Sequence, residues 1–153
     1  MALRTIRIDG DPVLRKVAKP VTKFDEKLAL VVQDMLDTMV AEDGIGLAAP
    51  QIGLLKRIMV IDLYDDTGSK VYVNPEILHQ EGEQFEVEGC LSVPDASGAV
   101  RRPAVVTLRA QDLQGDFFEV QGEGLLARAM CHEIDHLNGI LFTDKIEEKA
   151  EEV

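Results

Sequence analysis

The sequence predicts an α+β fold, with antiparallel sheets surrounding a central helix and a second, amphipathic helix towards the N-terminus. Three observations lead there. Apolar residues recur at spacings of three and four around 28–40 and 126–137, which is the stripe of a helix with one buried face. Between these stretches lie short runs rich in Val, Ile, Thr and Phe, separated by Asp, Gly and Gln clusters, as in strands joined by turns. At 153 residues, 46% hydrophobic and 29% charged, the chain is long enough for one real core and short for two. Residues 1–153 are therefore expected to form one domain.

The first helix is expected over 25–42. Leu28, Val31, Val32, Met35, Leu36, Met39 and Val40 fall on its buried face, Asp25 or Thr22 can cap its start, and Gly44 marks its end. Residues 44–53 are too small and irregular for either period and read as a loop or a very closely packed segment. Strands are expected at 57–63, at 70–73 beyond the Asp65-Asp66-Thr67-Gly68 turn, and at 85–88. Runs at 104–110 and 117–120 flank Gln114-Gly115-Asp116 and read as a hairpin. The period then becomes helical from 125 to about 137, with Leu126, Met130, Ile134 and Leu137 in phase and Gly139 as the stop. The acidic tail, 147–153, is expected to fray.

Bulk properties exclude several classes of function. A net charge of −12 and a pI near 4.6 argue against binding DNA or other nucleic acid through a broad basic surface; any basic patch must be local. Two cysteines do not make a disulfide scaffold and fit a reducing compartment, so the cytoplasm is expected. The N-terminus shows no apolar signal core, and no apolar run approaches the roughly 20 residues that span a bilayer.

The chemistry concentrates in three stretches. His132-Glu133-Ile134-Asp135-His136 holds two of the three histidines in the chain. Residues four apart share a helix face, so His132 and His136 can offer two imidazole nitrogens to one metal ion with Glu133 beside them. Read conservatively, they are ordinary helix histidines and Glu133 a solvated charge. A hydrolytic metal needs a third protein ligand and an open position for water. Cys90, within Glu88-Gly89-Cys90-Leu91-Ser92, can be that ligand, because a thiolate with two imidazoles suits a first-row divalent ion. Cys131 competes, but its side chain is rotated about 100° from that of His132, away from His136, and it is assigned to packing. The third stretch, Gly44-Ile45-Gly46-Leu47-Ala48-Ala49-Pro50-Gln51, is neither a P-loop nor a dinucleotide fingerprint. Its small residues permit close backbone approach, and the amide of Gln51 can donate to a carbonyl oxygen that becomes negative.

Together these stretches resemble the peptide deformylase family, which is marked in this order by GxGxAAxQ, EGCxS and HExxH, here Gly44 to Gln51, Glu88 to Ser92 and His132 to His136. The likeness runs from Pro12-Val13-Leu14-Arg15 to Leu141-Phe142. It implies an α+β fold with the HExxH on a central helix, and removal of the N-formyl group from the formylmethionine that begins new polypeptides. It further implies a divalent metal on Cys90, His132 and His136, Fe²⁺ in most members, with Zn²⁺, Ni²⁺ or Co²⁺ as other occupants of a purified sample. Glu133 is then the general base, and the Gln51 amide and the Leu91 backbone N–H hold the oxyanion. Ile45, Leu91, Ala129, Glu88 and Gly89 are expected to line the methionine slot, the last two by family position, while the Gly46 backbone pairs with an extended peptide.

The chain departs from the family where many members carry Gln in place of Cys131, and where the loop 95–98 lacks the larger side chain often found before its glycine. The resemblance also points to the ribosome near its exit tunnel as a partner. The short acidic tail, however, lacks the basic C-terminal helix with which some members approach it.

Overall fold

Helix α1 (Glu26–Ala41) begins where the sequence places its cap: Asp25 is extended and its carboxylate accepts the Leu28 N–H at 3.1 Å. Asp25 rather than Thr22 fills that role. At the other end Asp43, not Gly44, takes the left-handed backbone, with φ 59°, and the Gly44 N–H closes onto the Met39 carbonyl at 2.9 Å. The computed structural model of the chain describes residues 2–147.

Seven strands follow: β1 (Gly46–Ala48), β2 (Ile58–Ile61), β3 (Lys70–Glu81), β4 (Gln84–Cys90), β5 (Val93–Arg102), β6 (Val105–Gln111) and β7 (Phe117–Glu123). They form an antiparallel five-stranded sheet in the order β1-β2-β3-β6-β7 and a β4-β5 hairpin. Helix α2 (Leu125–Leu137) closes the fold. Strand β2 explains the layering, because all four of its residues are buried and strand side chains alternate between faces. Ile58 and Val60 pack with Leu28, Val32, Met35 and Met39 of α1. Met59 and Ile61 pack with Ala127, Met130 and Ile134 of α2. The two helices thus cover opposite faces of one sheet, and a strand buried on both sides reads as a continuous apolar run.

The expected strands at 57–63, 70–73, 85–88, 104–110 and 117–120 all exist, with shifted bounds. Two others were not expected. Residues 44–53, read as a loop or packed segment, contain the buried β1 and a 3₁₀ turn, Ala49–Ile52. Residues 95–98, read as a loop, lie inside β5. Its one paired strand among the described residues is β4, and the further bridge from Val100 to Ile146 lies away from Pro94, so the proline withholds no ladder bond from an outer neighbour. Helix α2 stops as expected: Gly139 is left-handed, φ 77°, and a Cβ there would lie 2.6 Å from the Arg15 carbonyl oxygen. Of the tail, Glu147 is held, its N–H bonding to Ala99 O and its carboxylate to Arg101; residues 148–153 lie outside the described residues. Among the described residues no helix is long and apolar enough to cross a membrane.

Candidate active site

Ten of the thirteen residues of α2 are buried, polar ones included, and buried polar groups need partners. Two of them, His132 and His136, lie one turn apart with ring centroids 5.0 Å from each other. Cys90, the last residue of β4, meets them. Its Sγ is 3.3 Å from His136 Nε2, and one ligand atom from each of the three residues falls within 4.8 Å of the others. Bonds of about 2.0–2.3 Å from sulfur and nitrogen to a single ion fit such a cluster. The sulfur also accepts the Ser92 N–H at 3.4 Å and faces Gln51 Nε2 at 3.7 Å.

Behind His132 lies a buried ionic frame. His132 Nδ1 is 3.0 Å from Glu88 Oε1, which fixes the proton on Nδ1 and leaves Nε2 turned to the cluster. Glu88 also receives both forks of Arg102 at 2.9 Å and Arg128 Nη1 at 2.5 Å. Arg102 continues to Asp135 at 2.7 Å, and Asp135 to Lys145 at 3.0 Å. Burial alone would raise the Glu88 carboxyl, but the bonds from Arg102 and His132 outweigh it and hold the pKa down at about 2. Removing one partner from so buried a pair costs about 3–5 kcal/mol, because the other charge is left uncompensated.

Glu133 sits in the opposite condition. It is 4% exposed, its Oε1 has no hydrogen-bond partner among the described residues, and burial pushes its pKa up to about 7. Gly46 makes room for it, since a Cβ at Gly46 would stand 2.5 Å from Glu133 Oε2. Gln51 is held by its oxygen, which accepts the Ala48 N–H at 2.9 Å, so its amide nitrogen is turned to Ser92 Oγ at 3.1 Å and to the cysteine sulfur. The donor set of a half-buried thiol and two buried imidazoles, with the carboxylate of Glu133 beside it, fits a divalent cation. His136 is pushed well below its ordinary pKa, first by burial and then by the neighbouring His132, which favours the neutral, ligating imidazole.

A cavity of about 560 Å³ opens onto this cluster. Ile45, Gly46, Gln51, Glu88, Gly89, Cys90, Leu91, Ala129, His132 and Glu133 all border it, so the candidate residues share one site, with His136 just behind. Glu88 borders the cavity as expected and has a further task that the sequence did not show, since both carboxylate oxygens are engaged by Arg102, Arg128 and His132. Gly89 is not demanded by packing either: a Cβ there would meet only Ala96 O, at 4.0 Å. Sequence reasoning passed over Val87, Leu125 and Arg128, which also border the cavity. The last two precede His132 by seven and four residues, so helical period alone puts them on its face. Arg102 had no such signal. Cys131 packs in the core, where burial raises its thiol to about 11.

A helix-borne pair of histidines, a thiol from an adjoining hairpin and a buried carboxylate beside an open cavity define a metal-dependent hydrolase. Residues 3–152 match the polypeptide deformylase family model. A peptide deformylase of Alkaliphilus metalliredigens is 56% identical over 146 residues, covering 95% of this chain and 98% of its own. The crystal structure of the Thermotoga maritima enzyme superposes with a TM-score of 0.93 at 43% identity, covering 97% of this chain and 100% of that one. That of a Legionella pneumophila peptide deformylase gives 0.92 at 51%, covering 95% and 87%. The chain belongs to the peptide deformylase family, and its activity is removal of the N-formyl group from nascent peptides.

Proposed function

We propose that Cys90, His132 and His136 hold one divalent ion, Fe²⁺ in the cell and Zn²⁺, Ni²⁺ or Co²⁺ in some preparations. On this reading residues 1–153 act as one catalytic domain on N-formylmethionyl peptides. The observation that carries it is the convergence of three donors within 4.8 Å beside a buried carboxylate oxygen that has no hydrogen-bond partner among the described residues. When bound, the ion supplies a Lewis acid that lowers the pKa of a water and polarises the formyl oxygen. Glu133 takes the proton of the attacking water and returns it to the leaving amine, a role for which a pKa near 7 is well matched. The oxygen that becomes negative receives the Gln51 amide and the Leu91 N–H. Glu88 acts through His132, whose tautomer it fixes.

Ile45, Leu91 and Ala129, with Glu88 and Gly89 on the wall behind, shape the slot for the first side chain. Strand β1 is a sheet edge, so the backbone at Gly46 is in place to pair with the extended substrate. The compartment is the cytoplasm, with no part for DNA or a membrane, and the ribosome near the exit tunnel is the place of encounter.

Protein prepared without oxygen and loaded with Fe²⁺ or Ni²⁺ is expected to release formate from a short formyl-Met peptide; an absence of formate from either form would overturn this reading. Cys90→Ser is expected to weaken metal retention while the fold survives, as read by elemental analysis after dialysis. Unchanged metal content would mean that the third ligand lies elsewhere.

A further inference from the structure

On a protein with 28 acidic and 16 basic residues, five of the basic ones, Arg4, Lys19, Lys23, Lys27 and Lys56, line one groove of about 720 Å³. None of them borders the active-site cavity. The one carboxylate that lines the groove, Asp25, is committed to capping α1, and Arg4 is paired with Asp34. The four lysines are exposed and form no ion pair among the described residues.

Backbone pairing sets two of these lysines side by side. Lys19 N–H donates to Leu55 O and Lys19 O accepts the Arg57 N–H, each at 3.0 Å, which makes Lys19 and Lys56 a bridged pair. Like charges placed opposite each other repel, and among the described residues no carboxylate pairs with either of them. The loop that carries Lys19 and Lys23 is also fixed, since Asn74 accepts the Val21 N–H at 2.8 Å and donates to Val21 O at 2.9 Å. The charges are therefore held in place rather than scattered on free segments.

We infer that this groove, through Lys19, Lys23, Lys27 and Lys56, docks the phosphate backbone of a structured RNA. Ammonium groups act as point charges on phosphates. Among the described residues no aromatic side chain on which an unpaired base would stack lines the groove, so phosphates are bound and base sequence is not read. The substrates are peptides still in synthesis, which makes RNA the polyanion at hand. The acidic remainder of the surface repels RNA, which confines contact to this face and makes it weak and salt-sensitive.

The test uses the full-length, metal-loaded protein and a labelled 20-base-pair RNA duplex, followed by anisotropy from 20 to 150 mM salt. Binding is expected to fall with a log–log slope of about −3 to −4, as four neutralised phosphates imply. The triple variant Lys19→Glu/Lys23→Glu/Lys27→Glu is expected to lose at least tenfold in affinity at low salt while its formate release from a short formyl peptide stays unchanged. Lys→Gln at the same three positions is expected to flatten the slope. Equal binding by variant and parent, or no binding by the parent at 20 mM salt, would overturn the proposal. So would displacement of the RNA by a short poly-glutamate at equal charge concentration, which would make an acidic protein segment the partner instead.

Discussion

Glu133→Gln is expected to keep its metal and its fold while losing about 10²–10⁴ in kcat, the range supplied by a positioned general base. The change is nearly isosteric. It removes the proton acceptor without touching Cys90, His132 or His136, and the buried site already tolerates a side-chain oxygen without a partner. Burial that raises the Glu133 pKa to about 7 also means that its carboxylate gives the fold little, so thermal stability should hold or rise slightly. Kinetics on a formyl-Met dipeptide, with elemental analysis of the same sample, check this. Near-normal turnover with metal bound would remove Glu133 from the reaction.

What the sequence revealed here, and what it hid, follows from the range of the forces involved. Helical period located α1 and α2 because their apolar faces are long and regular, and the same period brought His132 and His136 onto one face. Cys90 was legible because its flanks and the two-histidine fragment each called for a partner. Strand β5 was hidden: Pro94, Asp95 and Gly98 weaken any strand pattern, and only pairing with β4 and the cover of Ile146 over Gly98 make it a strand. Strand β1 was hidden for the opposite reason, since all three of its residues are buried and no alternation remains. The ionic role of Glu88 was hidden because its partners Arg102 and Arg128 lie 14 and 40 positions away. Nothing local announces an ionic frame closed by the tertiary fold.

Gly46→Ala is expected to cost about 10²-fold in kcat with metal content and KM little changed. The added methyl would stand 2.5 Å from Glu133 Oε2 and 3.1 Å from Cγ and Cδ, well inside van der Waals contact. The backbone of β1 cannot retreat, because Gly46 is in register with Ile61 of β2 and the two residues that follow it, Leu47 and Ala48, are fully buried. Glu133 must therefore yield, and its Cγ is as close as its carboxyl carbon, so rotating the carboxylate alone does not relieve the contact. Displacement of a catalytic group by about 1 Å costs on the order of 10² in rate. The ligands are spared, since Cys90 comes from β4 and Glu88 holds His132 from the far side. Steady-state kinetics on the dipeptide separate the outcomes: a fall in kcat alone places the damage at Glu133, whereas a rise in KM alone would mean that Gly46 serves only to leave room for the peptide backbone.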